Sequence, residues 1–99
     1  MGITIIAKFT PKPGKENELR DALAEAAPIY RKDPGTLGWH VLSGKKDAKG
    51  SFVAVERYEN AQAIQTHAAN PVFGKKVHPL CAKQTELTFY DEIEDKAKL

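Results

Sequence analysis

The sequence predicts a single α+β domain of the ferredoxin-like type, βαββαβ with the second helix split in two. Three observations carry this. Four stretches rich in β-branched and aromatic residues alternate in polarity with period two. Helical periodicity takes over between the first and second of them, and again between the third and fourth. Proline, glycine and asparagine stand at the junctions. The expected sheet has four antiparallel strands with its helices on one face.

The first strand, Ile3-Thr4-Ile5-Ile6-Ala7-Lys8-Phe9-Thr10, puts Ile3, Ile5, Ala7 and Phe9 on one face. Pro11-Lys12-Pro13-Gly14 ends it by removing backbone donors. Across residues 15–32, Leu19, Ala22, Leu23, Ala26 and Tyr30 recur at helical spacing, and Pro28 is expected to bend this helix or shorten it by a turn. Asp33-Pro34-Gly35 is a stop. Residues 36–43 and 52–58 read as two strands of a hairpin joined by a polar loop. Asn60 is a suitable N-cap for a helix burying Ala61, Ile64 and Ala68. Asn70-Pro71 breaks it and opens a short helix to about Cys81. A last strand over 85–93 sets Leu87, Phe89 and Ile93 against Glu86, Thr88 and Glu92, and a charged tail runs from Glu94.

Ninety-nine residues suffice for one domain, 1–99, with a thin core. Fifteen basic and thirteen acidic residues leave a net charge of +2, mixed along the chain. The densest basic runs, Lys45-Lys46 and Lys75-Lys76, are too short to track a phosphate backbone, which argues against nucleic acid as a partner. No apolar run reaches the ~20 residues that a membrane span needs. The lone Cys81 excludes an intrachain disulfide and suits a reducing, cytoplasmic setting. One cysteine and three histidines show no paired-ligand spacing for zinc.

Several strands carry apolar residues on both faces: Ile6 opposes Ile3 and Ile5, Leu42 opposes Trp39 and Val41, and Val53 and Val55 oppose Phe52. A sheet covered on one side only would leave much of this in water, and burial therefore predicts a homodimer with sheets packed face to face.

The third strand is the most informative. Its alternation sets Phe52, Ala54, Glu56 and Tyr58 on one face. A carboxylate among apolar neighbours is costly unless paired. Glu56 therefore either meets an Arg or Lys, sits at an exposed edge, or lines a cavity where desolvation raises its pKa toward proton-transfer use. His67 falls on the flank of the second helix's apolar stripe, either as a boundary residue with one nitrogen in water or as a donor at a pocket mouth. Trp39 is a core or interface anchor or a flat wall for a planar ligand. His78, among lysines, reads as a solvated residue. No Ser-His-Asp set, glycine-rich phosphate loop or metal motif is present.

Asp33-Pro34-Gly35-Thr36-Leu37-Gly38-Trp39-His40, Phe52-Val53-Ala54-Val55-Glu56-Arg57-Tyr58, the stretch 61–67 and Asn70-Pro71-Val72-Phe73 together resemble the antibiotic biosynthesis monooxygenase (ABM) domain family. Lys12-Pro13-Gly14-Lys15-Glu16 through Leu19 is also similar to the family's approach to its first helix, so the likeness spans about residues 3–93. The resemblance implies a dimeric α/β barrel with a pocket per protomer between sheet and helices. It implies oxidation of a phenolic or polyketide-like small molecule by dioxygen without a cofactor. Carried over by position, the family's strand acid falls on Glu56 and its helix histidine on His67, while Trp39, Tyr58 and Phe73 shape the substrate cavity. Haem-degrading relatives carry an asparagine on the first strand, which residues 3–10 lack. Two other functions fit the same residues: an isomerase or proton-transfer enzyme acting on a small carbonyl compound, and a non-catalytic small-ligand-binding dimer.

Overall fold

The computed structural model describes residues 2–95. Strands β1 (Ile3–Phe9), β2 (Thr36–Ser43), β3 (Phe52–Tyr58) and β4 (Glu86–Asp91) and helices α1 (Glu16–Arg31) and α2 (Ala61–Ala68) follow in the order the sequence predicts. The sheet runs β2-β3-β1-β4 and every neighbouring pair is antiparallel, which is the ferredoxin-like arrangement. Among the described residues no helix is long and apolar enough to cross a membrane.

Register places the core. Ile5 stands opposite Glu56 and Phe89, and Ala7 opposite Ala54 and Leu87. Alternation then points Ile5, Ala7, Phe9, Phe52, Ala54 and Tyr58 toward the helices, where all are buried. Helix α1 answers with Leu19, Leu23, Ala26 and Tyr30, spaced to form one stripe. Its acidic first turn (Glu16, Glu18) and basic last turn (Arg31) suit the helix dipole.

Pro28 does not shorten α1, which runs on to Arg31. Proline costs the turn one backbone bond, but Ala27 and Tyr30 on either side are buried and hold the last turn against the sheet. Gly35 then turns the chain with φ +84°, and a Cβ there would run into Ala63 of α2.

Asn60 caps α2, its Oδ1 accepting from Ala63 N at 3.0 Å. The buried side of α2 differs from the expected one. Ala63 is buried, Ile64 is partly buried, and Ala61 and Ala68 are exposed, because the close approach to Gly35 turns Ala63 inward. The segment after Pro71 is also no single helix. It is a π-helical turn (Phe73–Val77) followed by a 3-10 turn (His78–Leu80), since Pro79 has no N–H to continue an α-helical ladder. This segment docks on the end of β1 through Lys12 N to Leu80 O (2.9 Å) and Ala82 N to Thr10 O (2.7 Å).

Strand β4 ends at Asp91, so Ile93 lies beyond it and is 93% exposed. Leu87 and Phe89 face the helix side but stay half-exposed, because no helix reaches the β4 edge. On the opposite face Ile6, Val53 and Val55 are partly buried, and Leu42 and Tyr90 are exposed. There Glu92 receives Arg57 Nε (2.7 Å) and Nη2 (2.9 Å) and the Thr4 hydroxyl (2.6 Å), tying the chain after β4 across β1 to β3. The charged tail lies within the described residues only at Glu94 and Asp95; residues 96–99 are outside them.

Candidate active site

Glu56 is the one buried charged residue in the core of the described chain, 3% exposed. The sheet puts it there: it sits between Trp39 on β2 and Ile5 on β1 and points toward the helices. Among the described residues no Arg or Lys meets it. Its Oε1 accepts a 2.6 Å hydrogen bond from the Tyr58 hydroxyl, two residues along the same strand face. The same oxygen lies 3.6 Å from His67 Nε2, supplied by the last turn of α2.

Aromatic rings close around this pair. Tyr30, at the end of the α1 stripe, packs with its ring tilted, its centroid 4.3 Å from that of His67 and 4.6 Å from that of Trp39. Tyr58 lies 5.3 Å and Trp39 6.3 Å from His67. Second contacts hold the frame: Arg31 Nη1 donates to the Trp39 carbonyl (2.6 Å), and Asn70 Nδ2 donates to Asp33 Oδ1 (3.1 Å), joining the ends of the two helices.

Burial controls the electrostatics. Desolvation pushes the Glu56 carboxyl from 4.5 up to about 7, against the Tyr58 hydrogen bond and the nearby Trp39 indole, which favour the charged form. The Trp39 Nε1 itself is buried and completes no hydrogen bond of good geometry. His67 is pushed below 6.5 by burial, with Asp33 opposing. The tyrosine hydroxyls of Tyr30 and Tyr58 are both raised, first by burial and then by the Glu56 charge, so they stay protonated donors. Near neutral pH the glutamate therefore gains and loses its proton readily, beside an imidazole that burial holds in its neutral form.

The pair heads a cavity of about 470 Å³, a size that suits a small organic ligand. Ile5, Ala7, Phe9, Ile64, Phe73 and Leu87 form its apolar walls. Among the described residues no group of three or more His, Cys, Asp or Glu comes together to hold a metal ion.

A model of the antibiotic biosynthesis monooxygenase family matches residues 2–78. The chain belongs to the antibiotic biosynthesis monooxygenase family. Solved structures agree with the ABM fold. A Mycobacterium tuberculosis protein, Rv0793, is 22% identical over 98% of this chain and 100% of its own, with a TM-score of 0.82. A Shewanella oneidensis protein, SO0527, is 24% identical over 90% of this chain and 88% of its own (TM-score 0.78). A Nitrosomonas europaea protein named as a candidate antibiotic biosynthesis monooxygenase is 16% identical over 97% of this chain and 94% of its own (TM-score 0.83). At such identities the likeness speaks for the fold alone. Among curated proteins no sequence matches the chain.

Of the residues singled out from sequence in this ABM chain, Glu56, His67, Trp39 and Phe73 line one cavity. Tyr58 does not line it; it is fully buried behind Glu56 and holds the carboxylate instead of forming a wall. His67 is partly buried: among the described residues its Nδ1 is buried without a hydrogen-bond partner, while its Nε2 faces Glu56. His78 is exposed as expected, yet its ring lies 5.9 Å from Phe73 and borders the cavity. Tyr30 was missed as a site residue. Its signal was its place as the last member of the α1 apolar stripe, next to the turn that leads into Trp39.

Proposed function

We propose that this chain is a cofactor-independent monooxygenase, acting as a homodimer on a small aromatic, phenolic or polyketide-like compound. The observation that carries the reading is Glu56, a carboxyl held near pKa 7 beside His67 at the head of an apolar, aromatic-lined cavity. Oxygenation of this kind needs an electron-rich anion, and the anion needs a base, donors and little water.

The Glu56 carboxylate takes the proton of the phenolic hydroxyl, and the Tyr58 hydroxyl stabilises the charged form of Glu56 before transfer. The phenolate passes an electron to dioxygen, and the two radicals join as a C–O bond at the ring carbon opposite the hydroxyl. Glu56 gives its proton to the peroxide, and the O–O bond then breaks as His67 takes the hydrogen of that carbon as a proton. The products are a quinone carbonyl and water: one phenol and one dioxygen give one quinone and one water. The substrate supplies all four electrons, so no external reductant enters. His67 passes that proton to the departing hydroxide, which gives water and restores the neutral imidazole, and Trp39 and Phe73 flank the ring.

The dimer rests on Ile6, Val53, Val55, Leu42 and Tyr90, an apolar set on the sheet face that no helix covers. Burying it against a second sheet removes it from water.

Oxygen uptake with hydroxylated naphthalenes, measured against the uncatalysed rate, tests the assignment. The proposal expects uptake with equal quinone formation, lost in Glu56→Gln. Uptake no faster than without protein would overturn it. Deuterium exchange into a carbonyl substrate without oxygen uptake would instead mark a proton-transfer enzyme, the reading that the same Glu56–His67 pair also supports.

A further inference from the structure

The sheet register serves as a ruler along the cavity. Trp39, Glu56, Ile5 and Phe89 face one another across the four strands at one level. Four residues along β1 is Phe9, about 13 Å away at the rise of an extended strand. Glu86 pairs with Lys8, so Thr85 stands at the Phe9 level. His78 is at that end too: its ring stacks near Phe73, Phe73 lies 6.4 Å from Phe9, and the following residues are bonded to Thr10 and Lys12.

The cavity therefore has two polar ends and an apolar middle. One end holds Glu56 and His67. The other holds His78, Gln84 and Thr85, all of which line the same space. The Thr85 hydroxyl is buried and has no hydrogen-bond partner among the described residues, which is a standing cost that a ligand atom would relieve. Among the described residues Glu56 is the only carboxylate lining the cavity, so the far end offers donors and no competing acid.

We infer that the ligand is an elongated hydroxyarene carboxylate, with its reacting hydroxyl at Glu56 and its carboxylate received by Thr85, Gln84 and His78. The two ends are about 13 Å apart along the strands. Because Glu56 on β3 and Thr85 beside β4 flank β1, they are also two strand spacings, about 9.6 Å, apart across the sheet, or about 16 Å in all. Less two hydrogen bonds of about 2.8 Å this leaves roughly 10 Å, which a single ring falls well short of and which two fused six-membered rings substituted at opposite ends are the least that can approach. The orientation of the ligand rests on the assignment of Glu56 to the reacting end, whereas the donor set at Thr85 does not. Gln84 and Thr85 lie beyond residue 78, where the family match stops.

The test is a ratio of affinities, read by tryptophan fluorescence titration with 6-hydroxy-2-naphthoic acid and with 2-naphthol. The wild-type protein is expected to prefer the acid by about tenfold, the worth of one charge-assisted hydrogen bond. In Thr85→Val and in His78→Gln, each checked for an unchanged melting temperature, the ratio is expected to fall toward one. Equal affinity of the wild type for the two ligands would overturn the inference, as would variants that keep the tenfold ratio. Binding is read without turnover, so the two proposals fail separately. A preference for the acid with no oxygen uptake would sink the monooxygenase reading alone. Uptake with 2-naphthol and no preference would sink the carboxylate site alone.

Discussion

Replacing Glu56 by Gln should stabilise the protein in alkaline solution while abolishing its proposed chemistry. The folded carboxyl titrates near 7 and the unfolded one near 4.5. At about 1.4 kcal/mol per pKa unit, that difference makes the buried charge cost ~3 kcal/mol of stability. Below pH 4.5 both states hold the proton and the cost vanishes; as pH rises from 4.5 to 7 only the folded state keeps it, so stability falls; above 7 the whole cost is present. Glutamine is neutral throughout and keeps an amide oxygen to accept from Tyr58. His67 works in the opposite sense, because its lowered pKa makes stability rise with pH in the window below 6.5. That contribution is common to both proteins, so the difference between them reports Glu56. Urea unfolding from about pH 4 to pH 8 should show the Gln variant gaining up to ~3 kcal/mol over the wild type as pH increases. A difference that stays constant over this range would refute a raised Glu56 pKa.

Tyr58→Phe removes the donor that lowers the Glu56 pKa; the acidic limb of oxygen uptake, where the rate rises as Glu56 ionises, should then move alkaline by about one pH unit, and an unmoved profile would detach Tyr58 from the base. Gly35→Ala puts a side chain at φ +84° and into Ala63. Unfolding should show a loss beyond the ~1–2 kcal/mol of the left-handed backbone alone, and wild-type stability would show that α2 yields there. Val55→Lys places a charge in the middle of the uncovered sheet face; light scattering should give a dimer mass for the wild type and a monomer mass for the variant. A wild-type monomer would refute the face-to-face assembly.

Much of the architecture could be read from the chain because local and tertiary preferences agree. β3 alternates without interruption, so placing Glu56 and Tyr58 on the core face needed only the two-residue period. Asn60 caps the helix that carries His67, through a bond encoded within four residues. What escaped depends on contacts between distant segments. Pro28 is tolerated because Ala27 and Tyr30 are docked, which no local rule reports. The tilt of α2 follows from Gly35 meeting Ala63, two residues from separate elements. The roles of Tyr58 and Tyr30 depended on depth: both lie on inward faces, but Tyr30 reaches the cavity while Tyr58 stops at the carboxylate behind it. His78 looked solvated because lysines precede it, and only the docking of its segment on the end of β1 brings its ring to the cavity rim.

Glu56 is the group on which the pH dependence of stability and the proposed chemistry both turn, and titration of its carboxyl carbon by NMR reads it most directly. With the carbon assigned by comparison with Glu56→Gln, the resonance should shift with an apparent pKa near 7, as expected for a carboxyl buried among Trp39, Tyr58 and His67. An inflection near the ordinary 4.5 would contradict both the desolvated site and its use as a base at neutral pH.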